Sequence, residues 1–189
     1  DRTGPGLQSF TQPLQIGTRR ERRELGPQAG PPELTADMTR MHETIQTTLP
    51  MEETFALIAD FANAQRWDPG VATSERLDPG PVGLDARYRL GVRMRGRVAP
   101  MEYRITTFEP SRRVVLTGSG SNISAVDEIR FEPAGDGTRI DYTADIRLGG
   151  WTRLVEPFAG GALRKIARDA LDGMQHFLDE QVRLRETAT

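Results

Sequence analysis

Cysteine is missing from this 189-residue sequence, so disulfides, thiolate metal sites and a thiol nucleophile are all excluded. Histidine is nearly missing. His42 and His176 are the only two, which excludes a multi-histidine metal site and leaves a histidine-based triad few candidates. Lysine occurs once, as Lys165, and every other base is arginine; 25 bases stand against 27 acids, a net charge of −2. The basic excess that usually marks a nucleic-acid-binding chain is therefore lacking. No apolar run approaches the ~20 residues that span a bilayer, and no signal-peptide core appears near the start. A phosphate loop and a dinucleotide fingerprint are likewise missing, and "GSGSN" at Gly118–Asn122 reads as a hairpin rather than a strand-to-helix cradle. These absences predict a cytoplasmic protein, monomer or homodimer, with no cofactor, no metal, no nucleic-acid partner and no stable membrane insertion.

What is present falls into two parts. Residues 1–37 are rich in Pro, Gly, Gln and Arg without apolar periodicity, and such a segment cannot bury enough apolar surface to offset its ordering entropy. A disordered or spurious leader is expected there, with Met38 and Met41 as candidate starts; the "RRERRE" block alternatively reads as a short charged helix or a weak nucleic-acid tail. From Arg40 the patterns sharpen. "RMHETIQTTL" predicts a first strand. "PMEETFALIADFANAQRW" predicts a helix opened by Pro50, with Glu52 and Glu53 at the positive end of its dipole, and a second short helix over 60–67. Six strands follow near 71–77, 86–95, 98–108, 112–118, 125–132 and 138–148, joined by short turn-rich links that imply antiparallel neighbours. A long amphipathic helix comes last, with Leu163, Ile166, Ala167, Ala170, Leu171, Met174, Phe177 and Leu178 at helical spacing. The predicted fold class is α+β: a domain over 38–186 in which a seven-stranded antiparallel sheet (β-α-α-β6-α) wraps around the C-terminal helix, with a tail at 187–189.

In "ARYRLGVRMRGRV", Arg87, Arg89, Arg93, Arg95 and Arg97 surround Tyr88, Leu90, Val92 and Met94. Strict alternation places the arginines on one face and the apolar residues on the other. Glu102, Glu128, Glu132, Asp141 and Asp145 fall in the same outward register, so the wet face is expected to be a mixed-sign lattice, not an anion-binding stripe. The dry face collects Met101, Tyr103, Ile105, Ile129, Phe131, Ile140 and Tyr142 as well. Buried tyrosine hydroxyls need partners, and methionine tolerates variable packing. Asp127 shares the phase of Ile129 and Phe131 and so points inward, where an unpaired carboxylate is costly. Two readings stay open: a solvated position at the sheet's end or a phase-reversing bulge, or a polar anchor in an apolar cavity. His176 stands at the edge of the helical stripe, as a boundary residue or a catalytic one.

The helix "PMEETFALIADFANAQRWDPGV", the later "FEPAGDGTRIDYTADI" and the terminal helix together resemble the polyketide cyclase/dehydrase and lipid transport family, of the START-like, helix-grip (SRPBCC) superfamily. The resemblance runs from Thr39 to Val182. It implies a deep apolar cavity between the curved sheet and the last helix, and members that bind lipids, sterols or polyketides, some catalysing cyclisation or dehydration. It places Trp67 at the cavity edge and makes 149–161, "GGWTRLVEPFAGG", with Trp151 and Phe158, an apolar lid, a cavity wall or an ordinary loop.

The expected ligand-binding set is Trp67, Tyr88, Leu90, Val92, Met94, Met101, Tyr103, Ile105, Asp127, Ile129, Tyr142, Trp151, Phe158, Ile166, Ala170, Met174 and Phe177. Asp127 is also the one catalytic candidate. The partner expected is a hydrophobic small molecule. Two other functions remain possible on the sequence: a cyclase/dehydratase using the interior carboxylate, and a protein-interaction or stress-response module.

Overall fold

A computed structural model of the chain describes residues 38–149, Arg95 excepted, and 156–188. The expectations for residues 1–37 and Trp151, and for the side chain of Phe158, lie outside the described residues. The elements run β1 (Met38–Thr47), α1 (Met51–Ala59), a 3-10 turn (Phe61–Asn63), α2 (Ala64–Trp67), β2 (Val71–Arg76), β3 (Arg87–Met94), β4 (Arg97–Glu109), β5 (Arg113–Gly120), β6 (Ile123–Ala134), β7 (Gly137–Leu148) and α3 (Glu156–Thr187). All strands pair antiparallel in one sheet of order β1-β7-β6-β5-β4-β3-β2. Chain-adjacent strands from β2 to β7 are antiparallel neighbours, and from β3 onward their short links require it. Only β1 crosses over, joining β7 in unbroken register from Met38↔Arg147 to Thr47↔Thr138. This is the expected α+β helix-grip architecture.

The outer face follows the charge pattern. Arg89 lies opposite Glu102 and reaches both Glu75, at 2.9 Å, and Glu102, at 3.4 Å. Further along, Arg113 and Arg130 share Glu128, Arg139 meets Asp141, and Arg40 clasps Asp145 with two hydrogen bonds. Most of these pairs are solvated and contribute little individually. Their effect is to make the outer face a lattice of both signs, in which Arg89 of the arginine row is paired on both sides.

The concave face departs from expectation in one respect, because α3 does not cover it alone. α1 packs over β6 and β7, while α3 lies along β1 and against α2. Phe55 of α1 makes edge-on contacts with Phe108 and Phe131, at centroid distances of 5.3 and 5.1 Å. Beside them the Thr54 and Thr138 hydroxyls both bond to the Leu49 carbonyl, so the buried polar groups at this end are satisfied. This half of the interior is solid. Over the other half, α3 packs against β1 and α2, and the site described below lies between them and the sheet.

Two other expectations are corrected. Residues 156–161 are already helical, so α3 absorbs the second half of the segment read as a lid or loop. Ile166, read onto the buried stripe, is 47% exposed.

Candidate functional site

The site begins with Asp127. Along β6 the buried positions are Ala125, Asp127, Ile129 and Phe131, and no bulge interrupts the pairing with β5 or β7, so the carboxylate faces inward at 5% exposure. The solvated-end and bulge readings are therefore excluded. Tyr142 on β7 donates its hydroxyl hydrogen bond to Asp127 Oδ1 at 2.9 Å, and Asp127 Oδ2 is buried without a hydrogen-bond partner. Burial pushes the carboxyl up to about 7, against the Tyr142 hydrogen bond, and a second carboxylate, Asp68, pushes the same way. Tyr103 and Tyr142 are raised well above the ordinary phenol value by burial first and by the neighbouring Asp127 second.

Asp68 ends α2. Its Oδ1 accepts the Gly70 N–H at 2.7 Å, closing the turn into β2. Burial raises it to about 6 despite that hydrogen bond and the nearby Arg93.

Around these two acids lies a cavity of about 120 Å³. That is roughly ten times the ~10–15 Å³ that holds one water. Its floor is Leu90, Val92, Met101, Tyr103, Ala125, Asp127, Tyr142 and Ala144; Phe61, Ala64, Trp67, Asp68 and Val71 form one wall, and Ile166, Ala167, Ala170 and Leu171 of α3 the roof. The exposed His42 and Glu43 on β1 contribute at the margin. The hollow has a simple origin: where β6, β7, α2 and α3 meet, the chain places Ala125, Ala144, Ala64, Ala167 and Ala170, whose side chains stop short of one another. On β5, Gly118 lies beneath the Tyr103 ring; a Cβ there would fall 2.5 Å from the ring carbons, so the glycine is what lets that phenol lie flat on the sheet. Among the described residues, no three His, Cys, Asp or Glu side chains come together as metal ligands, and no helix is long and apolar enough to cross a membrane.

The sequence of residues 38–176 matches the family described as polyketide cyclase/dehydrase and lipid transport. The chain belongs to this family. No curated protein sequence matches it at a significant level. Solved structures share the fold: the Zhui aromatase/cyclase from Streptomyces sp. R1128 superposes with a TM-score of 0.63 at 15% identity, over 77% of this chain and 96% of that one. A START superfamily protein from Mycobacterium smegmatis superposes at 0.61 with 14% identity, over 75% and 98%. DR_A0006 from Deinococcus radiodurans gives 0.55 with 21% identity, over 76% and 96%.

In this member of the polyketide cyclase/dehydrase and lipid transport family, the expected lining is brought together only in part. Trp67, Leu90, Val92, Met101, Tyr103, Asp127, Tyr142, Ile166 and Ala170 do surround the cavity. Tyr88, Ile105, Ile129, Met174 and Phe177 point inward but lie in the packed core, since α1 and the 3-10 turn fill the space above the sheet there. Met94, half-buried near the end of β3, is not part of the lining either. Phe177 is instead capped by the Arg66 guanidinium, 4.6 Å from its ring centroid. His176 is exposed and bonds within its own helix to the Asp172 carbonyl, away from the cavity.

Sequence reasoning missed Asp68, which reads as a turn residue in "RWDPG", and of the alanines around the cavity it placed only Ala170 in the binding set. Alanine at inward positions of β6, β7 and α3 was the available signal of unfilled volume.

Proposed function

We propose that this chain binds a hydrophobic small molecule between the sheet and α3. The observation that supports this reading is the combination of an unfilled, mainly apolar cavity with an inward carboxylate whose second oxygen has no partner. An apolar void of about 150 Å³ accepts a benzene ring, so about 120 Å³ suits one ring or a short acyl segment. A larger lipid, sterol or polyketide would extend past the rim, where Ile166 offers exposed apolar surface. Native mass spectrometry and titration calorimetry against panels of lipids, sterols and aromatic polyketides are expected to give one-to-one complexes. Failure of every class to bind would overturn the reading.

A second reading, a cyclase/dehydratase, is favoured by Asp127 alone. A carboxyl raised to about 7 is poised to accept a proton near neutral pH, and Asp127 lies on the floor of the cavity. The solved aromatase/cyclase shares the fold, which supports the chemistry by analogy only. On this reading Asp127→Asn lowers turnover of an aromatic polyketide substrate by about 10²-fold or more, the usual scale of a general base. Unchanged turnover would remove Asp127 from any catalytic role.

A further inference from the structure

Apart from His42 at the margin, the ionisable side chains around the cavity other than its tyrosines are carboxylic acids. Asp127 lies on its floor and Asp68 in its wall, with Asp68 raising the proton affinity of Asp127 and Glu43 at the margin. Among the described residues, no lysine or arginine lines it, in a chain with 25 such residues. Tyr142 donates to Asp127 Oδ1 and the Tyr103 hydroxyl also favours the charged carboxyl, while Oδ2 is buried in the floor without a hydrogen-bond partner.

We propose that the cavity selects amphiphiles whose polar end is a hydrogen-bond donor, a hydroxyl or a protonated amine, and rejects those that end in a carboxylate. This deepens the binding reading and rests on it. The physical reason is that the buried Asp127 carboxyl is short of donors, and a hydroxyl or ammonium placed beside it supplies one where a carboxylate cannot. A carboxylate guest would bring a further negative charge into a space of reduced dielectric beside two acids, where repulsion at contact distance is worth several-fold more than in water. A free fatty acid is thus the wrong ligand for this cavity, although its tail would fit the apolar lining.

The test uses the full chain and three probes with one skeleton: phenylbutanol, phenylbutylamine and phenylbutanoate, titrated at mildly alkaline pH and followed by NMR shifts of the cavity residues. The alcohol and the amine are expected to bind at least about tenfold more tightly than the carboxylate. Asp127→Asn is expected to weaken the amine most and to narrow the amine–carboxylate gap, with Asp68→Asn narrowing it less. Equal or tighter binding of phenylbutanoate would overturn the selectivity while leaving the binding reading intact. Absence of binding by all three overturns both. If the wild-type preference holds but survives both substitutions, the selectivity does not come from these acids, and the assignment fails.

Discussion

Asp127→Asn is expected to stabilise the protein, and to do so more as the pH rises. The folded state holds the Asp127 proton up to about 7, whereas an unfolded chain releases it near the ordinary value of 3.8. Between those limits the folded protein binds more protons than the unfolded one, so rising pH lowers stability. At 1.36 kcal/mol for each pH unit, the ionised buried carboxylate costs about 4 kcal/mol once the pH exceeds its folded value. Asparagine keeps an oxygen for Tyr142 to donate to and carries no charge. Its melting temperature is therefore expected to exceed the wild type's by on the order of 10 °C in mildly alkaline buffer, with the gap narrowing steadily as the pH falls and closing only near the ordinary carboxyl value of 3.8. Asp68, raised to about 6, adds a loss of the same sign to both proteins and largely cancels in the comparison. Asp78 and Asp141 are held below the ordinary value, so their contributions disappear only in more acid solution, below this window. Scanning calorimetry of the two proteins across the range decides it. A stability difference that does not change with pH would mean that Asp127 is not buried as an ionisable group.

Gly173→Ala is expected to do the opposite of what the same change does in most helices. Glycine inside a helix is usually worse than alanine by roughly 0.5–1 kcal/mol. At Gly173, however, an added Cβ would sit 2.1 Å from the Trp67 carbonyl oxygen and 3.3 Å from Pro69 Cδ. The first obstacle is backbone and cannot rotate away, so α2 and α3 must separate. Overpacking of this kind costs about 1–3 kcal/mol, and it pulls Trp67 and Asp68 away from Ala170 and Leu171 across the cavity. Loss of stability together with weaker probe binding is the expected result. Gly161→Ala, in the same helix with nothing within 4 Å of its added Cβ, should gain from helix propensity and serves as the control. Equal behaviour of the two variants in chemical denaturation would show that the α2–α3 junction is not tight.

Alternation was the legible part of this fold. Period-2 patterning on β3, β4 and β6 identified the inward residues, including Tyr103 and Asp127, because strand phase survives any detail of packing. What occupies the space above those residues was not legible. Ile129 and Leu90 look alike on their strands, yet Phe55 packs over the region of Phe131 and leaves Ile129 in solid core, whereas Leu90 faces the hollow. That distinction depends on where α1 and α3 land, which no local pattern encodes. Asp68 was hidden for a related reason: its turn chemistry explained it fully before its burial was known.

The division of the interior into a filled and an unfilled half bears on how the chain can change over generations. The phenylalanine cluster and the threonine network carry the rigidity, and a residue lost there forfeits contacts on all sides. A residue facing the hollow has neighbours on one side only, so enlarging or trimming it disturbs little else. New guests can thus be accommodated by drift at a few inward positions while the scaffold persists.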